Sequence, residues 1–468
     1  MLFNTTEFGI FFAFVWVIYW ILKPWRTAGL GFLLVASLYF YACWDVKYLA
    51  LLGFVTVFAW GSARLIESER FARWRRPLLI GVVVVNLGVL SFWKYLDFVL
   101  NNLHPVFAWL HRTPPKPLEL MLPVGISFFT FQGLSYVVDV SQGKTRAEPS
   151  LFRFALYKAY FPQLVAGPIV RARDMLPQFE APARLDAERF GRGLWLVLGG
   201  LLKKVVIADF LATHLVDRVF DVPVQYGSLE TLAAIYGYAL QIYGDFSGYT
   251  DIAIGASLML GYDLLANFDL PYRAVSLQDF WRRWHISLSS WLRDYLYIPL
   301  GGSKGGRWQT HRNTMVTMLL GGLWHGASWN FVVWGGLHGV GQVVERLWRD
   351  RGRNRWRRWP DWLSGLVTFH FVCLCWVFFR ADTFEGARQV LSQVTAAVPG
   401  HANLTGPVLG VLALGFGAHF LPRRWSGAAQ TRFVQAPPFV QALGVVLALY
   451  LLRALSAAGN APFIYYQF

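Results

Sequence analysis

The sequence predicts an all-α, polytopic integral membrane protein, a single membrane-embedded domain over its 468 residues, and three observations carry that expectation. Hydrophobic residues make up 55% of the chain and charged ones only 15%, with a mean hydropathy of +0.39, values that exclude an ordinary soluble domain. The apolar residues fall in runs of helical length separated by short basic loops. Twenty-two tryptophans fit the same class, because indoles are enriched where membrane meets water. The net charge of +16 suggests nucleic acid only if hydropathy is ignored. Its Lys and Arg lie between apolar spans, as in the cytoplasmic loops of membrane proteins, so no nucleic-acid partner is expected. A basic face also suits anionic lipid or an anionic donor.

The first run extends from Phe8 to Leu22, preceded by neither a basic segment nor a small-residue cleavage site, and reads as a retained span rather than a signal peptide. Runs from Gly29 to Trp44, Tyr48 to Trp60 and Leu78 to Tyr95 follow, the last two separated by the cytoplasmic segment Arg64 to Arg76. Positive-inside alternation then places the amino terminus outside and Asn101 to Lys116 on the outer face. Several runs are shorter than the roughly 20 residues of a perpendicular span, so tilted or broken helices are implied.

From Glu119 to Val140, the early Pro123 and Gly125 break the helix, and Ser127, Thr130 and Gln132 supply polar groups for the freed backbone. Gln132 reads equally as a cavity-lining residue or as part of a kinked span. Pro162 and Pro168 make the following stretch a re-entrant piece. Leu194 to Val216 is apolar except for Lys203, Lys204 and Asp209. In the long run from Leu229 to Leu260, Asp245, Tyr249 and Asp251 either line a watery chamber or hold neighbouring helices. Six residues apart, the two carboxylates project about 240° from each other on a helix, a poor acid/base pair, and the structural reading is favoured. Spans from Trp362 to Phe379, Leu404 to Leu421 and Phe439 to Leu452 complete ten to twelve membrane segments, after the strongest cytoplasmic marker, Arg346 to Arg358. Cys43, Cys373 and Cys375 read as buried filler.

The chemistry concentrates between residues 278 and 341. His325 stands in Gly321-Gly322-Leu323-Trp324-His325-Gly326-Ala327-Ser328-Trp329, and no Lys, Arg, Asp or Glu occurs between Arg312 and Glu345. An ionisable group at membrane depth is costly and marks a functional site by default; the alternative is a histidine bonded to a neighbouring helix. Upstream, Leu277, Trp281, Trp284, Leu288, Trp291 and Tyr295 share one face of a basic, amphipathic helix, with His285 at the edge of the stripe near Ser289. Such a helix lies in the interface or lines a polar cavity. On an unbroken helix His338 points about 220° away from His325 and reads as a packing histidine. No metal ligands stand at suitable spacing from His325.

Two of these stretches, Trp281-Arg282-Arg283-Trp284-His285 through Gly302 and Gly322-Leu323-Trp324-His325-Gly326, resemble the signature region of the membrane-bound O-acyltransferase (MBOAT) family. The likeness is to its bacterial branch that modifies alginate and teichoic acid. Leu122 to Gln132, Gln163 to Ile169, Asp245 to Asp251 and the terminal Phe463 to Phe468 are similar to that branch too. The resemblance implies a ring-like helical bundle with re-entrant segments and a central tunnel joining a cytoplasmic donor to an outer acceptor. It maps the family's catalytic histidine onto His325 and its second tunnel histidine onto His285, with Trp324, Ser289, Asp245, Tyr249 and Gln132 as further donor-contacting or tunnel-lining candidates. It also implies acetyl-CoA as the acetyl donor, no bound cofactor, and a periplasmic acetyltransferase partner of the SGNH type within a polysaccharide synthase complex.

The residues fit that chemistry independently. Acyl transfer from a thioester to a hydroxyl needs a base, and imidazole, titrating near pH 6.5 in water, suits it. Apolar surroundings favour the uncharged, competent ring. His325 is therefore expected as general base, or less favourably as a covalent acyl carrier, with His285 orienting the donor or stabilising the oxyanion. Two competing classes remain: a transporter of polysaccharide or ions, against which no internal repeat is detectable, and a scaffold, in which every histidine tolerates substitution.

Overall fold

The computed structural model describes residues 1–165, 167–351 and 359–455, and among them the regular structure is helical, with no strand. The terminal Phe463 to Phe468 motif, Ala166 and the arginines at 353, 355 and 357 lie outside the described residues. The chain divides into two compact units, one of residues 1–185 and 256–264, the other of 186–255 and 265–468.

The first unit is built from α1 (Thr6–Ile21), α2 (Arg26–Ala42), α3 (Lys47–Glu67), α4 (Arg75–Trp109), α5 (Ile126–Ser141), α6 (Leu151–Ala159), α7 (Phe161–Leu164) and α8 (Ala172–Glu180). Local chemistry sets the starts: Thr5 caps α1 by accepting from Phe8 N at 3.3 Å and Ser150 caps α6 by accepting from Arg153 N at 3.3 Å, each satisfying one of the orphan donors of a helix N-terminus. Gly125 enters α5 at φ 75° with a Cβ position only 2.6 Å from Leu164 O, a place only glycine fills. Around Pro162 the chain forms two short helices, α6 and α7, joined at Tyr160.

The second unit contains α9 (Ala187–Leu202), α10 (Asp217–Asp221), α11 (Ser228–Met259, whose last residues belong to the first unit), α12 (Leu277–Arg283), α13 (Ile286–Leu292), α14 (Arg307–His325), α15 (Trp329–Arg351), α16 (Asp361–Arg380), α17 (Phe384–Thr395), α18 (Gly406–Phe420), α19 (Arg423–Gln435) and α20 (Pro438–Leu455). Three stretches, Lys203–Asp209, Ala212–Val216 and Arg293–Tyr297, wind as π-helix, a form that clusters at functional places.

Among the described residues, three helices are long and apolar enough to cross a bilayer, Lys47–Glu67, Glu69–Trp109 and Asp361–Arg380, and a fourth span is the pair Arg423–Gln435 and Pro438–Tyr450, bent by 119°. The apolar helices α1, α2 and α18 hold 16, 17 and 15 residues, about 24 Å at 1.5 Å per residue, short of a roughly 30 Å hydrocarbon core. This is the shortfall the apolar runs predict. Large apolar side chains stay exposed along α1 to α4, among them Phe14, Val35, Phe54, Val84 and Phe92, a surface suited to lipid rather than water.

Candidate active site

The continuous amphipathic helix expected around His285 is broken in two. α12 ends at Arg283, and His285 sits in the left-handed region at φ 42° and ψ 56° before α13 begins. A non-glycine residue there costs roughly 1–2 kcal/mol, and one side chain supplies the compensation. Asn267 Oδ1 accepts from Ser287 N at 3.1 Å, from Ser287 Oγ at 3.0 Å and bonds His285 Nδ1 at 3.2 Å, while Asn267 O accepts from Ile286 N at 2.9 Å. Since the Ser287 backbone N–H fixes that atom as the oxygen, His285 Nδ1 is the donor, and the neutral ring keeps its lone pair on Nε2. The ring is fully buried, not at the water-facing edge the stripe implied. Phe246 meets it edge-on at 4.7 Å between centroids.

His325 is the last residue of α14, which stops because Gly326 turns extended at φ −165° and ψ 155°. A Cβ on Gly326 would lie 2.1 Å from Phe331 Cε2, and one on Gly322 only 2.2 Å from Phe331 O. Glycine at both places lets α15 fold back against α14. His325 is 3% exposed and its ring meets Trp324 at 5.0 Å, Trp334 at 5.0 Å and Phe379 at 5.2 Å, all near-perpendicular. Trp324 is also 6.0 Å from the His285 ring, so one indole separates the two predicted histidines.

The expectation of an unbroken helix through His338 requires a correction, and its reading as a packing, hydrogen-bonding histidine does not. The chain reverses between α14 and α15 rather than continuing as one helix, and this brings His338 into the same aromatic cluster. Trp334 lies between the two rings, 5.0 Å from His325 and 4.8 Å from His338, and the Trp281 indole donates to His338 Nδ1 at 3.3 Å.

The remaining candidates distribute differently. Ser289 is half-buried and its hydroxyl donates to Trp284 O at 3.0 Å. Asp245 is buried beside Lys204 Nζ at 2.6 Å, and the same ammonium reaches Asp209 Oδ1 at 2.7 Å. It also stands 5.7 Å over the buried Tyr249 ring. Asp251 pairs instead with Lys203, so Asp245 and Asp251 meet different lysines. Through α11, this buried ion cluster holds Phe246, the neighbour of Asp245, against His285. Gln132 belongs to the first unit, where its side-chain carbonyl is buried without a hydrogen-bond partner. Asn267 is the supporting residue the sequence did not single out, and Lys204 stands out there only as a charge in an apolar run. Among the described residues, no three or more His, Cys, Asp or Glu side chains are gathered in a way that could hold a metal ion.

The order of Trp324, His325 and Gly326 at a helix end, backed by a second buried histidine, agrees with a comparison of the whole chain. Residues 103–382 match the model of the MBOAT, membrane-bound O-acyltransferase family. The chain belongs to the MBOAT family. It is similar to a probable alginate O-acetylase, AlgI, of Pseudomonas aeruginosa, with 40% identity over 89% of this chain and 80% of that protein. It is similar as well to a peptidoglycan O-acetyltransferase of Helicobacter pylori, 39% identical over 84% of this chain and 79% of that one. A teichoic acid D-alanyltransferase of Bacillus subtilis is more distant, at 26% over 67% and 85%. This MBOAT protein is thus a membrane O-acyltransferase.

Proposed function

We propose that the protein takes an acetyl group from acetyl-CoA on the cytoplasmic side of the inner membrane and passes it across for O-acetylation of an exopolysaccharide, alginate in the first instance. A periplasmic acetyltransferase of the SGNH type, within a polysaccharide synthase complex, receives it, and the amino terminus faces the periplasm. The observation that carries the reading is the placement of His325 and His285 on either side of Trp324, in a cluster of rings that keeps out bulk water. In such a site a neutral imidazole is a competent base and each fixed dipole counts for more than in water.

His325 removes the proton of the acceptor hydroxyl as its oxygen attacks the acetyl carbonyl, and returns that proton to the departing thiolate. His285, with Nδ1–H held by Asn267, presents an acceptor nitrogen. Of the two roles expected for it, orientation of the donor fits this tautomer, whereas a neutral Nε2 has no proton to give an oxyanion. The reading calls for a ring-like bundle with a passage to His325 from both compartments, with Trp324, Ser289, Asp245, Tyr249 and Gln132 along or beside it.

The test follows labelled acetyl-CoA in membranes holding the protein, with mass spectrometry of the polysaccharide. His325→Ala is expected to abolish acetylation at unchanged membrane abundance, and His285→Ala to lower turnover with the protein retained. Wild-type product from His325→Ala refutes the assignment, and labelled acetyl-CoA left unbound and intact favours a transporter. The Helicobacter pylori relative, named for peptidoglycan and nearly as similar as the alginate one, supports a second acceptor: another cell-envelope glycan, such as peptidoglycan or cellulose. The same mass spectra separate these polymers.

A further inference from the structure

α19 carries Arg423, Arg424 and Arg432 and no acidic residue, and no Asp or Glu occurs anywhere in the sequence after Glu385. None of its side chains is buried. On the helical wheel Arg424, Trp425, Ala428 and Arg432 share one face, and all four are exposed. The opposite face packs, with the Phe433 ring 5.5 Å from Trp195 and Val434 against Gly191 of α9. Both ends are tied down: Arg423 pairs with Asp269, and Gln441 Nε2 donates to Phe433 O at 3.0 Å. The outward face is therefore held in place, and neither Arg424 nor Arg432 meets an acidic side chain among the described residues.

What lies beside this face is set by α20. That helix follows after Ala436 and Pro437 and turns large apolar side chains outward, with Phe439, Leu443, Val446 and Tyr450 all exposed, a surface for hydrocarbon rather than water. α19 is bent 119° from it, closer to perpendicular than to parallel. A helix laid across the end of a lipid-facing helix sits at the level of the headgroups, and exposed arginines beside a tryptophan are the side chains that level favours. Charge then selects among headgroups. Two positive charges with no acid to answer them are drawn to an anionic surface and gain nothing comparable from a neutral one.

We propose that the outward face of α19 binds acidic phospholipid headgroups, with one phosphate at Arg424, another at Arg432 and the Trp425 indole in the interfacial layer between them. A guanidinium fork matches phosphate oxygens with two parallel hydrogen bonds. About 12 Å of helix rise separates the two arginines, so each takes a headgroup of its own. Asp269, which holds Arg423, stands two residues along the chain from Asn267. The lipid-bound helix is thereby tied to the loop that sets the His285 geometry.

The experiment uses the full-length protein in nanodiscs of phosphatidylcholine, alone or mixed with phosphatidylglycerol. Cys373 and Cys375 are buried, so Cys43→Ser/Ala428→Cys takes a fluorophore at position 428 alone. Phosphatidylglycerol brominated near the carbonyl end of its acyl chain is expected to quench that label more than phosphatidylcholine brominated at the same place and mole fraction. The preference should fall by up to about five-fold for each arginine removed, in Arg424→Gln and then in Arg424→Gln/Arg432→Gln, and should shrink at raised salt. Without a label, phosphatidylglycerol is expected to raise the melting temperature of the wild-type protein more than that of the double variant, whereas in phosphatidylcholine alone the two melt alike. Equal quenching by the two lipids in the otherwise wild-type protein overturns the selection of acidic headgroups. Quenching by neither shows that water or a protein partner covers this face and overturns the proposal outright.

Discussion

Replacing Asn267 by leucine removes a side chain that holds His285 in its unusual backbone conformation. Three hydrogen bonds converge on Asn267 Oδ1, at 3.0, 3.1 and 3.2 Å, and at about 1 kcal/mol apiece their loss amounts to about 3 kcal/mol. That exceeds the roughly 1–2 kcal/mol by which a left-handed, non-glycine residue is disfavoured, so His285 is expected to relax toward ordinary backbone and carry its ring with it. The bond from Ile286 N to the Asn267 carbonyl survives and keeps the loop in place. If the whole deficit falls on the population of correctly oriented rings, turnover drops by about two orders of magnitude, at ten-fold for each 1.4 kcal/mol. Acetyl transfer from labelled acetyl-CoA in membranes, normalised to protein by immunoblot, measures it. Asn267→Asp keeps an acceptor in the same position and is expected to recover part of the loss. Wild-type turnover in Asn267→Leu, with an unchanged melting temperature, refutes the argument that this amide sets the His285 geometry.

Gly326→Ala places a methyl group 2.1 Å from the Phe331 ring, and is expected to lower both melting temperature and transfer by pushing α15 away from α14. Adding Phe331→Leu should recover part of the melting temperature, read by differential scanning fluorimetry in nanodiscs. Lys204→Met leaves Asp209 and Asp245 buried around the space of the lost ammonium, and is expected to destabilise the protein by about 3–5 kcal/mol. The triple variant Lys204→Met/Asp209→Asn/Asp245→Asn carries no stranded charge and should melt closer to wild type.

The helices were legible wherever local sequence decides them. The apolar run from Trp362 to Phe379 is α16, Asp361–Arg380, and that from Phe439 to Leu452 is α20, Pro438–Leu455, because hydropathy and the boundary residues are local properties. The break at His285 was not. Trp284-His285-Ile286-Ser287 contains no glycine or proline to announce it, and the distortion is imposed by Asn267, eighteen residues upstream. The same limit explains His338. Periodicity continued through Gly326-Ala327-Ser328 as though the helix were unbroken, whereas packing of Gly326 and Gly322 on Phe331 reverses the chain there. The separate pairing of Asp245 and Asp251 agrees with their spacing, but the identity of the lysine each one meets depends on how α11 lies against the π-helical stretch after α9, which spacing does not reveal.

The two supporting histidines are locked in opposite tautomers, and each lock is supplied by a group with no choice of role. A side-chain carbonyl oxygen can only accept, so His285 carries its proton on Nδ1; an indole can only donate, so His338 carries its proton on Nε2. The cluster therefore presents an acceptor nitrogen on the Trp324 side of His325 and a donor nitrogen on the Trp334 side, without any charged residue in direct contact with either ring in the bonds described. In a ring-lined interior this fixed polarity persists as a reaction proceeds, because burial shields it from bulk solvent. A donor whose amide N–H groups meet the acceptor nitrogen of His285 and a hydroxyl whose oxygen meets the donor nitrogen of His338 would match that polarity. An asymmetric pair of tautomers around one central imidazole is thus suited to keep the two substrates on separate sides of it. Releasing one lock is the corresponding test of the idea: Trp281→Phe frees the His338 tautomer without touching His285, and should raise the KM for the acceptor hydroxyl while leaving that for acetyl-CoA unchanged.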